Sequence, residues 1–277
     1  MNKKTEIVIL GGDLRFKALA QSLKSRYQTH FFQDEIPSLI QTCDFLILPL
    51  PATQGNSTIL NFKKNVDLKD IFPQLKSTAY VLAGKVSDEV KTLAKKYNIN
   101  IFDYYTDEFE MLNAIPSAEG AIEIAMNETD FTLCGSNIFV LGFGRIGKIL
   151  AKMLSGIGAD VTVCARRKES LALAKGLGFK TCDLKILAKL INRADLVFNT
   201  IPALILDQST LENTSKNALI IDLASKPGGV DFDYSKKIGI RTIHALGLPA
   251  KTSPETSSQI LCDCINSFIA ERRTNGA

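Results

Sequence analysis

The stretch NIFVLGFGRIG, residues 137–147, sets an apolar run directly against three glycines spaced GxGxxG. The apolar run predicts a strand, and the residues from about 145 to 156 predict a helix. A lone GxGxxG is a weak signal, but between a strand and a helix it marks the phosphate-binding turn of a dinucleotide fold. Gly142 allows the tight turn, Gly144 lets the backbone approach a pyrophosphate, and Gly147 permits close packing of helix on strand. With Arg145 and Ile146 of the same turn, these are the expected cofactor-binding residues.

The next predicted strand, VTVCARRKE over residues 161–169, decides which nucleotide. A site for NAD ends that strand in Asp or Glu, which accepts hydrogen bonds from the ribose 2′-hydroxyl. Here Ala165, Arg166 and Arg167 stand there instead. A carboxylate would repel a 2′-phosphate, whereas guanidinium groups grip one bidentately. The pattern favours NADP, with NAD as the alternative and a solvated helix start as the plain reading of the arginines. FNTIP (198–202) closes a later strand, so Asn199, Thr200, Ile201 and Pro202 are expected on the nicotinamide side, outside the strand ends.

Working outward, short apolar runs alternate with amphipathic stretches along the whole chain. Strands are expected at 6–11, 44–50, 79–84 and 100–104, and again at 137–142, 160–165, 195–201, 218–224 and 240–245. Helices are expected at 15–26, 87–98, 168–177 and 183–193. Continuous apolar strands between helices mean parallel sheets covered on both faces. The expected fold is α/β: two Rossmann-like, doubly wound parallel-sheet domains joined by helices, with a cleft between them. Residues 1–128 form the first domain, for substrate or partner, and residues 129–277 the nucleotide-binding one. Two joining helices are expected, one starting at Ser117 and one over 254–273, with Ser253 as N-cap before Pro254. The second is expected to pack back on the first domain.

Composition narrows the function. A net charge of +4, spread along 277 residues without a basic stripe, gives no footprint for nucleic acid. Six scattered cysteines and two histidines make no metal cage, so no metal is expected. Residues 1–6 are polar, no leader is apparent, and no run is long enough to span a bilayer, so a cytoplasmic enzyme with reduced thiols is expected. Loops at strand ends supply the remaining candidates. Arg15, Thr53, Ser117, Lys226 and Ser253 are candidate partners for an anionic substrate, each with solvated surface as the bland reading. Glu119 and His244 are candidate bases, and Lys226 a candidate catalytic group.

In order along the chain, GGDLR, LPLPATQG, IPSAEGAI, GSNIFVLGFGRIG, ARR, NTIP, DLASKPGGVDF and GLPAKTSPETSSQIL resemble segments of the dipicolinate synthase dehydrogenase-subunit family, the A subunits of that enzyme. The resemblance covers nearly the whole chain, and DLASKPGG with GLPAKTSP is more specific than a dinucleotide fingerprint. It implies an NAD(P)-dependent dehydrogenase that makes pyridine-2,6-dicarboxylate from a dihydro- or hydroxytetrahydro-dipicolinate of the lysine pathway. It also implies sporulation, the mother-cell cytoplasm, and the flavoprotein-like B subunit of dipicolinate synthase as partner in a hetero-oligomer; homo-oligomerisation stays open. The rivals are a D-2-hydroxy-acid dehydrogenase-like oxidoreductase and a non-catalytic, cofactor-binding scaffold. The first expects Arg-Gly where Lys226-Pro227 stands, and a Glu–His pair that does not follow.

Overall fold

The structure is a computed structural model, described for residues 4–55 and 57–275. The chain forms two compact units, Met1–Asn113 with Ser253–Ala277, and Ala114–Thr252. The boundary expected after residue 128 therefore falls after Asn113, inside a single long helix.

In unit 1, β1 (Glu6–Leu10), β2 (Gln28–Phe32), β3 (Phe45–Ile47), β6 (Tyr80–Ala83) and β7 (Asn100–Asp103) form one parallel sheet. Its order is β2-β1-β3-β6-β7, and a small hairpin, β4 (Thr53–Gln54) with β5 (Thr58–Ile59), stands outside it. Counting the five sheet strands alone, this is the flavodoxin-like order 2-1-3-4-5. Helices α1 (Leu14–Leu23), α2 (Leu68–Ile71) and α3 (Asp88–Lys96) join the strands. Asp13 caps α1 by accepting from Arg15 N, and Ser87 caps α3 by accepting from Val90 N. Asp88 and Glu89 open α3 and Lys95 and Lys96 close it, matching its dipole at both ends.

Helix α4 (Asp107–Glu128) runs through the unit boundary, and α10 (Pro254–Asn275) returns to unit 1. Leu261, Ile265, Phe268 and Ile269 of α10 join Phe16, Leu19 and Leu23 of α1 in one buried cluster over β1 and β3. On the other face, Val8, Leu46 and Val81 pack against Leu68, Ile71 and Val90. Both faces are thus covered, which is why these strands read as continuous apolar runs.

In unit 2, six parallel strands lie in the order β10-β9-β8-β11-β12-β13. They are β8 (Asn137–Leu141), β9 (Asp160–Ala165), β10 (Lys180–Asp183), β11 (Leu196–Asn199), β12 (Leu219–Asp222) and β13 (Arg241–His244). In chain order this is 3-2-1-4-5-6, the dinucleotide-binding arrangement. Helices α5 (Arg145–Ile157), α6 (Lys168–Gly176), α7 (Gln208–Glu212), α8 (Phe232–Lys237) and α9 (Leu248–Thr252) complete it. Residues 183–193, expected as one helix, form two 3-10 turns, Leu184–Lys189 and Ile191–Arg193. Among the described residues no helix is long and apolar enough to cross a membrane.

Candidate functional site

The glycine turn of unit 2 closes by collision. Gly142 has φ +97°, and a Cβ there would strike Thr200 Oγ1. That hydroxyl is fixed by donating to Leu141 O at 2.9 Å. A Cβ on Gly147 would strike the carbonyl oxygen of Gly142, so α5 lies directly on the turn. Gly144 differs: a Cβ built on it meets nothing within 4 Å. It is the N-cap of α5 and supplies no side-chain acceptor. An α-helix leaves its first N–H groups without intrahelical acceptors, so an open, uncapped N-terminus suits an anion. Packing explains Gly142 and Gly147, whereas at Gly144 the turn leaves room for a ligand. The residues present therefore fit a dinucleotide pyrophosphate.

Beside this turn, Ala165 is buried at the end of β9, and Arg166 and Arg167 are both exposed. Arg167 stands at the N-cap of α6, where its side chain has no acceptor to offer the helix N–H groups. β8 and β9 are adjacent, with Leu141 in register with Cys164, so the arginines follow the strand next to the glycine turn.

Asn199, expected to line the nicotinamide side, is instead fully buried and locks the strand ends together with Asp222, to which the sequence reading assigns no role. Asn199 and Asp222 stand in register at the carboxyl ends of β11 and β12, and both are fully buried. Asn199 Nδ2 donates to Asp222 Oδ1 at 2.8 Å and to Ile201 O at 3.0 Å, while Ile201 N donates to Asn199 Oδ1 at 3.1 Å. Asp222 also accepts from Ala224 N at 3.0 Å and Gly229 N at 2.7 Å. The residues 200–202 and the loop SKPGG are held through these two side chains. Gly229 is required for the approach, because a Cβ there would strike Asn199 Nδ2. Lys226, exposed and joined to Pro227 by a cis peptide bond, sits at the tip of this loop. Thr200 and Ile201 are half-buried and Pro202 is exposed.

His244 ends β13, stacked on Phe232 at 5.0 Å, with Nε2 2.8 Å from Ala224 O. A carbonyl only accepts, so Nε2 carries the proton and the lone pair is on Nδ1. Glu119 is exposed in the middle of α4 rather than at a helix start. Ser117, expected to start a helix, does not. α4 begins ten residues earlier, where Thr106 Oγ1 accepts from Phe109 N, so Ser117 is a buried mid-helix residue and no N-cap. Ser253 does precede a helix that opens on Pro254, and its carbonyl accepts from Ser257 N at 3.0 Å.

In unit 1, Arg15 is 7% exposed and clasped by Asp13: Nε to Oδ1 at 2.9 Å and Nη2 to Oδ2 at 2.7 Å. Nη2 also points to Leu50 O at 3.4 Å, just before the cis Leu50–Pro51 bond. Asp13, two residues before an arginine at a helix start, was the available sequence signal for this clasp. Thr53 lines a cavity of about 550 Å³ with Pro51, Lys85 and the first turn of α3. Among the described residues no group of three metal-ligating side chains occurs.

Residues 6–105 match the family model of the N-terminal domain of the dipicolinate synthase A subunit. Residues 118–227 match that of the D-isomer specific 2-hydroxyacid dehydrogenase NAD binding domain. The dipicolinate synthase A subunit of Bacillus subtilis (strain 168) is 32% identical over 289 residues, 96% of each chain. The crystal structure of the same synthase subunit from Bacillus halodurans superposes with a TM-score of 0.87 at 29% identity, covering 96% of this chain and 98% of that one. The A chain from Bacillus subtilis gives a TM-score of 0.86 at 30% identity over 99% of both chains. The match of residues 118–227 makes unit 2 a nicotinamide-dinucleotide domain of the dehydrogenase type.

Proposed function

The chain belongs to the family of dipicolinate synthase A subunits, and on that premise we propose that it oxidises a dihydro- or hydroxytetrahydro-dipicolinate to pyridine-2,6-dicarboxylate with NADP. The observation that carries the nucleotide is the open Gly144 at the uncapped start of α5, one strand from Arg166 and Arg167. When bound, the nicotinamide accepts a hydride. Loss of two hydrogens from a dihydropyridine leaves an aromatic ring, so the protein's share of the work is orientation and acceptance of one proton.

Each residue has a stated task. Gly142, Gly144, Arg145, Ile146 and Gly147 hold the pyrophosphate at the helix start, and Arg166 and Arg167 flank a 2′-phosphate in place of the missing acid. Thr200, Ile201 and Pro202, fixed through Asn199, orient the nicotinamide end. Arg15 retains Nη1 donors beyond its Asp13 clasp, and Lys226 presents an exposed ammonium; either suits a substrate carboxylate. Thr53 and Ser253 are hydroxyl donors at strand and helix ends. His244, with its proton committed to Ala224 O, offers Nδ1 as the proton acceptor, and Glu119 is the second candidate. The partner is the flavoprotein-like B subunit of the same synthase, in the cytoplasm of a sporulating mother cell.

The test offers the purified chain NADP and the lysine-pathway precursor, with and without that second subunit. Reduced nucleotide and aromatic product should appear in equal amounts, and Arg15→Ala or Lys226→Ala should slow turnover while nucleotide affinity is kept. Oxidation of a D-2-hydroxy acid in its place would support the reading that the match of residues 118–227 favours. Nucleotide binding without turnover in either mixture would leave only a scaffold.

A further inference from the structure

β7 is the last strand of the unit 1 sheet, paired with β6 on one side and with no described strand on the other. In a parallel ladder alternate residues turn both N–H and C=O to the same neighbour. Tyr104 N donates to Ala83 O at 2.9 Å, which sets the phase. Asn100 and Phe102 face β6, so Ile101 and Asp103 face outward. Two donors and two acceptors stand along the edge, the arrangement that invites another strand.

A cavity of about 440 Å³ follows this edge. Residues 98–102 line it together with Lys91 and Lys95 of α3 and Phe268 and Arg272 of α10. Arg272 lies over the rings of Tyr80 and Phe268, at 5.4 and 5.1 Å, and Phe268 stacks on Phe102 at 4.1 Å. No Asp or Glu lines this cavity; Lys91 meets the exposed Asp88 at 3.2 Å, so Lys95 and Arg272 set its charge. A second cavity, of about 450 Å³, begins at the same Phe102 and Phe268 and extends to the first turn of α4. Asp107, Glu108, Asp263 and Glu271 line it, and no Lys or Arg does. Along β7 the edge therefore runs from a basic groove to an acidic one, with two stacked aromatic rings between.

We propose that this edge is a self-association surface, on which a second copy of the chain pairs antiparallel about a two-fold axis at Phe102. Ile101 then exchanges both backbone bonds with the partner's Asp103, and Asp103 with the partner's Ile101. Phe102 meets its counterpart as a close, non-hydrogen-bonded cross-strand pair. The reversal of direction sets each basic groove against an acidic groove, twice over, as an isologous contact requires. A parallel approach would set Lys95 and Arg272 against their own kind. Lysines at a sheet edge ordinarily keep strands apart; here the acidic end makes the edge complementary to itself alone.

Sedimentation velocity on the full chain over a concentration series tests this. A dimer is expected, weakened by salt. Ile101→Pro deletes an outward N–H without touching the β6 ladder, and should raise the dissociation constant about tenfold or more. Lys95→Glu and Glu108→Lys should each weaken the dimer, and the two together in one chain should restore it. Amide exchange at Ile101 and Asp103 should slow as concentration rises. A monomer at on the order of 100 μM overturns the proposal. So does a dimer indifferent to all three variants, or a double variant no tighter than the singles. Thermal melts by circular dichroism confirm that each variant is folded.

Discussion

Asn199 Nδ2 and Asp222 Oδ1 meet at 2.8 Å across the carboxyl ends of two adjacent strands, and neither residue exposes any surface. All three groups bonded to Asp222 are donors: the Asn199 amide, Ala224 N and Gly229 N. The position therefore requires an acceptor on both oxygens. Asp222→Ala should cost about 3–5 kcal/mol, because three buried donors lose their partner. Asp222→Asn should also destabilise, by about 1–3 kcal/mol, since its amide sets a donor against a donor. Denaturant titration followed by circular dichroism measures both. Equal stability of wild type and Asp222→Asn would show that the carboxylate is dispensable.

The three glycines of the turn separate packing from binding. Gly144→Val places its side chain in open space and should leave stability within about 1 kcal/mol of wild type. The same side chain stands where a pyrophosphate would lie, so calorimetric titration should show nucleotide affinity lost. Gly147→Val drives a Cβ into the carbonyl of Gly142 and should destabilise by at least about 1–3 kcal/mol. Unchanged affinity in Gly144→Val would take residues 142–147 out of the site.

Thiol chemistry follows burial. Burial pushes the Cys43 thiol up to about 12, and burial with the Glu108 charge pushes Cys264 up to about 11. A raised thiol pKa means less thiolate at neutral pH, and the thiolate is the nucleophile. Cys134 is exposed. Brief alkylation of the native protein at pH 8, read by peptide mass spectrometry, should label Cys134 well before Cys43 or Cys264. Equal labelling of Cys43 would contradict its burial.

Central strands and the glycine turn are legible in the sequence because their causes are local. A strand buried on both faces is apolar throughout, and GFGRIG carries its own geometry. Besides the two-residue strands β4 and β5, two sheet strands escape sequence patterns, β2 (QTHFF) and β10 (KTCD). Each lies at one edge of its sheet, where partial exposure allows polar residues and weakens the pattern, although the opposite edges β7 and β13 keep enough of it to be read. In α4, Pro116 before Ser117 suggests a loop and a cap, whereas Thr106 and three early acids start the helix at Asp107. The Asn199–Asp222 pair is illegible for another reason. It joins residues 23 apart whose meeting depends on strand order and register. Arg15 is legible as a candidate, and Asp13 two residues earlier signals a pairing, whose two-bond geometry appears only with the side chains in place.

The proposed preference for NADP rests on residues 165–167. Its most direct test is the pair of dissociation constants for NADP and NAD in wild type, Arg166→Ala and Arg167→Ala. Wild type should bind NADP more tightly. Each variant should lose about ten- to a hundredfold in NADP affinity, from a charge-assisted contact of about 1.5–3 kcal/mol, with NAD affinity unchanged. A wild type that prefers NAD, or variants that lose both nucleotides equally, would rule out a 2′-phosphate site and leave these arginines as a solvated helix start.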